Sequence, residues 1–354
     1  MAAIAVAAGF FASLLLPELY LRLRGQNRPE WNYYYPRYYL SDHAQLGFAP
    51  TPNFQSAWKK IQLSNNSAGY RDRERPAATS LKMTRVLGLG DSQTWGANLN
   101  IEDSYLGKLR AALNAGEKAP AVDVVLGGVP GYSSDQEITR LVLDGPSLRP
   151  DIVVLAIFLD YRYGDVPRLR AHQRNGLYRV VEGYPVPPSM FAAYESGRWG
   201  CLIVRVKLWI RTHSYLAEFF QRWRTRVNAP SEFSDPMTTF SIAEGAESMQ
   251  ILFRELEKFA RACGDLKSKP VLLLIPSYSH LLEPAANVID WNKGVLDKAS
   301  ELKLTVVDLG PVYGSRLARG EPVYYPDNHL SPLGHAVAAQ VLQPVIERAL
   351  ASRR

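Results

Sequence analysis

Five short apolar runs constrain this chain more than any other feature. They read RVLGLG, VDVVLGG, DIVVLAIF, PVLLLIPS and LTVVDLG, spread over residues 85–310. None alternates apolar with polar residues. Each is apolar nearly throughout and rich in Val, Ile and Leu, the pattern of parallel strands buried on both faces. Parallel strands cannot be joined by tight turns, so the chain between them has to cross over, and helices are the usual means.

Helical patterns occupy those intervals. Ser104 to Asn114 and Asp135 to Leu143 carry apolar residues at helical spacing. AEGAESMQILFRELEKFARAC places Met249, Leu252, Leu256 and Ala260 on one helix face. The last helix follows SPLGH, with Ser331 at its N-cap, Pro332 in its first turn and an apolar stripe continuing to Leu350. The alternation predicts an α/β fold, a three-layer doubly wound sandwich around a parallel sheet.

Three regions stand outside this rhythm. Residues 1–25 are uncharged from Met1 to Pro17 and stay largely apolar to Leu23. A bilayer span needs roughly 20 residues, so this reads as a short single-pass membrane anchor with snorkelling ends, in contact with the lipid bilayer. A signal peptide, the rival reading, wants a basic start and a small-residue cleavage site; here bulky Leu, Pro and Tyr follow the run. Arg22, Arg24 and Arg28 follow it, which by the positive-inside rule alone would hold the main domain in the cytoplasm. Residues 26–82 form an aromatic arm and connector. WNYYYPRYYL is either an interfacial collar or an arm packed on the main domain, and QLSNNSAGYRDRERP is turn-rich. Residues 83–354 form the α/β domain, interrupted by an insertion at about 162–241. Within it, CLIVRVKLWIRTHSYLAEFFQRWRTR reads as one or two basic, aromatic amphipathic helices. They are a cap, a patch on anionic headgroups or a plain edge insertion.

Composition excludes several classes. The net charge is +7, but the Lys and Arg are scattered and no zinc-finger, RNP or basic-helix pattern occurs, so no nucleic-acid partner is expected. There is no metal-ligand spacing. Cys201 and Cys263 lie far apart and read as two free thiols.

Ligands of parallel α/β sheets bind beyond the carboxyl ends of the strands. Four segments there carry polar residues or glycine: Gly90-Asp91-Ser92, GGVPGYS from Gly127, Leu159 to Tyr161, and DNHLSPLGH from Asp327. Ser92 at a strand-to-helix turn is either a helix cap or a nucleophile. His329 could take the hydroxyl proton, and Asp327 could hold the imidazole tautomer. Glycine at 131 lets a backbone N–H approach a reacting carbonyl.

With GDSQTWG, GGVPGYSS and DNHLSPLGH in this order, the chain resembles the SGNH, or GDSL-type, hydrolase family over roughly residues 60–350. NNSAGYRDRE and PELYLRLRG look like its membrane-anchored bacterial members. The resemblance implies a flavodoxin-like sandwich and an esterase or O-acyltransferase reaction without metal or other cofactor. It implies Ser92 as nucleophile and first oxyanion donor, Gly131 as second donor, His329 as base and acid, and Asp327 as its orienting partner. The Asp–His spacing is one residue shorter than the commonest form, as in relatives that acetylate exopolysaccharides. It points to acylated carbohydrate or lipid esters at the cell envelope, with the domain on the periplasmic side.

The family's third block expects Asn where this chain aligns Asp160. An ionised carboxylate there would repel a developing oxyanion. Asp160 donates as a neutral acid, Tyr161 or Arg162 takes over, or the protein is a degenerate relative serving as accessory subunit of a membrane-protein complex. Other residues read more plainly. His335 packs in the last helix, and His280, after a strand end, is a substrate-binding candidate. Asp308 caps a turn, and Arg168, Arg170, Arg174 and Arg179 are solvated surface.

Overall fold

The computed structural model describes residues 2–25, 39–41, 43–58, 60–75, 83–115, 122–160, 164–227, 242–282 and 291–352. The chain opens with helix α1 (Ala2–Leu23) and two antiparallel hairpins, β1–β2 (Tyr39–Ser41, Ala49–Pro50) and β3–β4 (Gln55–Trp58, Ile61–Ser64). Strand β5 (Thr84–Gly90) starts the main fold. It is followed by α2 (Ser92–Trp95), α3 (Tyr105–Leu113), β6 (Val122–Gly128), α4 (Ser134–Leu148) and β7 (Ile152–Leu159). The insertion holds α5 (Asp165–Asn175), the hairpin β8–β9 (Arg179–Val181, Tyr184–Val186), α6 (Pro188–Glu195), α7 (Arg198–His213) and α8 (Tyr215–Val227). Then come α9 (Ile242–Asp265), β10 (Lys269–Pro276), α10 (Tyr278–Leu282), α11 (Trp291–Glu301), β11 (Thr305–Asp308), α12 (Gly310–Ala318) and α13 (Pro332–Ala351).

The five apolar runs form one parallel sheet in the order β6-β5-β7-β10-β11. Every residue of β6 and β7 is buried, so these strands lack a polar face. Successive side chains point to opposite faces and build two cores. On one face Leu87, Leu89, Leu155 and Leu272 pack with Ile138 of α4, Leu252 and Leu256 of α9, and Val295 of α11. On the other, Val86, Val154 and Leu273 pack with Leu109 of α3, Tyr313 of α12 and Leu342 of α13. Burying each such side chain contributes about 1.5–3 kcal/mol, and these two layers carry the fold. The order is the flavodoxin-like 2-1-3-4-5 arrangement. From β5 the chain goes outward to β6 and returns to β7 on β5's other side. The crevice at that reversal opens beside the exit of β5.

Helix boundaries follow side-chain caps. Ser104 Oγ accepts from Gly107 N–H at 3.1 Å to start α3, and Ser331 Oγ accepts from Gly334 N–H at 3.2 Å to start α13. The α4 pattern runs past Leu143 to Leu148. In the insertion, the basic aromatic stretch is two helices broken at Ser214. The described part of the arm packs inward: Leu46 and Phe48 join Trp95, Val129 and Tyr132 in a small core over the strand ends. Most of WNYYYPRYYL lies outside the described residues. Both thiols are free, with Cys263 buried.

Among the described residues no helix is long and apolar enough to cross a membrane. Sixteen uncharged residues, Ala2 to Pro17, rise only about 24 Å against a hydrocarbon core of about 30 Å. Glu18, next along α1, is committed to protein contacts. Its carboxylate accepts from Ser214 Oγ and from the backbone N–H groups of Tyr215 and Leu216, capping α8.

Candidate active site

The apolar run of β5 ends at Gly90 because helix α2 must turn directly over the strand ends. A Cβ at Gly128 would run into the backbone nitrogen of Trp95, so glycine there lets α2 settle on β6. The cap of α2 is Asp91 and not Ser92: Asp91 Oδ1 accepts from Gln93 N–H at 2.8 Å. This corrects the capping alternative for Ser92. As the first helical residue, Ser92 keeps its hydroxyl for other partners, and its N–H belongs to the first turn, which has no intrahelical acceptor.

His329 arrives from the other end of the chain. Tyr324 and Leu330 form an antiparallel bridge, and Tyr325 N–H donates to His329 O at 2.7 Å, closing a tight loop. Within it Asn328 takes a left-handed φ of 66°, which Asn tolerates better than most residues. The loop carries His329 to Ser92, with Nε2 and Oγ 3.0 Å apart. Asp327 Oδ2 lies 3.1 Å from His329 Nδ1, close but off the line of a straight hydrogen bond. Asp327 also accepts from His329 N–H at 3.2 Å and from Asn98 Nδ2 at 2.9 Å. Partial burial pushes its carboxyl up, but the His329 contacts and the Asn98 amide outweigh that and hold it down at about 2. Asp327 is therefore anionic wherever the fold is used.

Three residues not singled out from sequence fix this loop. Gln93, buried, grips it at both sides of His329: Nε2 donates to Asn328 O at 3.0 Å and Oε1 accepts from Leu330 N–H at 2.9 Å. Asn98 steadies Asp327. Asn328 spans to the neighbouring strand ends, accepting from Tyr278 N–H at 2.9 Å and donating Nδ2 to Asp160 Oδ2 at 3.1 Å. Asp160 Oδ2 thus acts as an acceptor that braces the loop. The signal for Gln93 was adjacency to the nucleophile, while the Asn328–Asp160 pair, 168 positions apart, left none.

Behind Ser92 lies a buried charge cluster. Asp91 Oδ2 accepts from Arg168 Nη2 at 3.0 Å, and Arg168 also donates to Tyr132 O. Arg168 was read as solvated surface; it instead props the residue before Ser92. Asp165 Oδ2 accepts from Phe158 N–H at 2.7 Å. Burial, with the charge of Asp91, raises Asp165 to about 7 against the pull of Arg168. Burial, then Asp165 and Asp91, push Glu137 well above the usual carboxyl range. On the far side Arg71 donates to the carbonyls of Trp95 and Gly96, both at 3.0 Å, and lies 4.2 Å over the Trp95 ring. The connector NNSAGYRDRE is thus the brace of α2.

The remaining candidates fall as follows. Gly131 sits at an exposed turn with φ 83°, closed by Tyr132 N–H to Val129 O at 3.1 Å. Tyr161 and Arg162 lie outside the described residues. His280 is on α10, whose described link to the catalytic loop runs through Tyr278. His335 is buried, accepts from Tyr105 N–H at 3.1 Å, and is pushed down to about 3 by burial and by the charge of His329. Asp308 accepts from Gly310 N–H at 2.8 Å. Arg170 and Arg174 pair with Glu247 at 3.6 and 3.3 Å, and Arg179 stacks on Phe191.

No family model and no curated protein matches this chain. Among solved structures it is similar to a member of the lipolytic protein G-D-S-L family from Veillonella parvula DSM 2008. That likeness has 11% identity and a TM-score of 0.43, and covers 75% of this chain and 99% of that one. A lipase/acylhydrolase from Enterococcus faecalis has 14% identity and a TM-score of 0.42, covering 75% and 95%. The acetyl xylan esterase AlAXEase has 13% identity and a TM-score of 0.40, covering 74% and 99%. Likeness at this level carries no weight for function, which rests on the side chains at the sheet's edge.

Proposed function

We propose that the protein is a serine ester hydrolase or O-acyltransferase of the SGNH type. The observation that carries this is the 3.0 Å approach of His329 Nε2 to Ser92 Oγ, with an anionic Asp327 behind the imidazole. His329 takes the hydroxyl proton as Ser92 Oγ attacks the ester carbonyl. The negative charge on the carbonyl oxygen is met by the Ser92 N–H at the start of α2 and by the Gly131 N–H. Asp327 stabilises the imidazolium and does not itself take the proton. His329 then protonates the leaving alkoxide, and an acyl-enzyme on Ser92 remains. Water or a sugar hydroxyl, deprotonated by His329, resolves it.

The substrate class is acylated carbohydrate or lipid esters. Residues 1–25 attach the protein to a membrane, with the α/β domain on the periplasmic side. The supports are the apolar composition of that segment and the short Asp–His spacing. Turnover of a small aryl acetate, with an acetyl mass on the Ser92 peptide, tests the reaction. Ser92→Ala should reduce turnover by a factor on the order of 10⁴ or more.

A second reading, a catalytically silent subunit of a membrane complex, is favoured by one observation. Asp160 brings a carboxylate to the place where a neutral donor would serve an oxyanion, and it accepts there. Folded protein that neither turns over the acetate nor acquires the acetyl mass would favour this reading.

A further inference from the structure

Helix α7 carries two apolar faces, and only one is used. At about 100° per residue, Val204, Leu208 and Thr212 share a buried face, with Val204 and Leu208 packed with Val181, Tyr184 and Val186 of the β8–β9 hairpin. On the opposite face Trp199, Leu202, Ile203, Val206, Trp209 and Ile210 form a second stripe at spacings of three and four. That stripe is open: Trp199 is 78% exposed and Trp209 57%. An apolar patch of this size on a soluble face is unusual and marks an interaction site.

The borders of the stripe name its occupant. The same angular count puts Arg198 and Arg205 along one edge and Lys207 and Arg211 along the other, all exposed. Arg205 also pairs with Glu182 at 2.5 Å. No acidic residue occurs anywhere in α7. Apolar and Trp side chains flanked on both sides by cations fit acyl chains bordered by anionic headgroups. A protein partner of ordinary mixed charge would leave those edges unmatched.

The stripe is also continuous with α1. The ring of His213, at its end, stacks on Trp209 at 5.5 Å, and His213 O accepts from Arg22 Nη2 at 2.6 Å. Arg22 in turn lies over Tyr215, and Glu18 caps α8. On α8, Phe220 and Trp223 are exposed, as are Leu15, Leu16 and Leu19 on α1. We propose that the exposed stripe of α7 lies in the interface of an anionic lipid bilayer, forming a second membrane footprint welded to α1. The proposal extends the attachment assigned above to residues 1–25, and its test separates the two.

The test uses the full chain with a nitroxide at Val206→Cys on a Cys201→Ala background, Cys263 being buried. Vesicles of phosphatidylcholine alone and of phosphatidylcholine with phosphatidylglycerol are compared. With the anionic vesicles the protein should float, oxygen should reach the label more readily, and a water-soluble nickel chelate less so. Arg198→Ala with Lys207→Ala should weaken partitioning by a factor on the order of ten. A floating protein whose label stays open to the chelate overturns the α7 footprint and leaves the α1 attachment standing. No flotation with either vesicle overturns both. A label immobilised without lipid, in a protein of twice the chain mass, shows a second copy on the stripe and also overturns it.

Discussion

Gln93 decides where His329 sits, because its amide grips the backbone on either side of that residue. Its truncation leaves Ser92 and His329 chemically intact but releases the loop. Gln93→Ala should lower kcat on an aryl acetate by about 10–100-fold with KM little changed, since angstrom-scale misplacement costs that much. A fall in KM-dependent binding alone would contradict the assignment. Asp160 gives a sharper comparison. In Asp160→Asn the new amide oxygen still accepts from Asn328, so the loop stays in place and activity should hold or rise. Asp160→Ala strands the Asn328 amide, so stability should fall by about 1–2 kcal/mol, read by urea denaturation, together with kcat. At Gly131, the left-handed φ of 83° makes Gly131→Ala cost about 1–2 kcal/mol and shifts the N–H offered to the carbonyl oxygen.

At the scale of elements, α4 and α5 bring Glu137 and Asp165 into a buried site behind β5 and β7. A carboxyl raised from 3.8 to about 7 holds its proton in the native state where the unfolded chain has lost it. Between about pH 4 and 7, therefore, rising pH lowers stability through Asp165, by up to about 1.4 kcal/mol per pH unit. Asp165→Asn keeps an acceptor for Phe158 N–H and should flatten that slope in denaturation curves taken across the window. An unchanged slope would place the titration elsewhere. The elements themselves were largely legible. Runs such as DIVVLAIF announce a doubly buried strand, and Ser104 and Ser331 announce helix starts. The side-chain cluster was not legible, because Arg168 looks like any surface arginine until α5 folds it onto Asp91. Nor was the cap of α8 legible, because hydropathy alone does not show Glu18 capping a helix nearly two hundred residues away.

At the scale of the molecule, the sheet order makes the site. Reversal at β5 opens a crevice where the β5 exit, the β6 turn and the 324–330 loop meet, and the residues that meet there come from opposite ends of the domain. Ser92, His329 and Asp327 could be read from two of the ordered blocks. The clamps that hold them, Gln93, Asn98 and Asn328, could not, because each is a common polar residue whose role exists only once the blocks converge. Whether His329 activates Ser92, as proposed, is read by covalent capture with a fluorophosphonate on the folded full chain. A single phosphonyl adduct should form on the Ser92 peptide, on the order of a hundredfold or more slowly in His329→Ala. An adduct on another serine, or equal rates with and without His329, would contradict it.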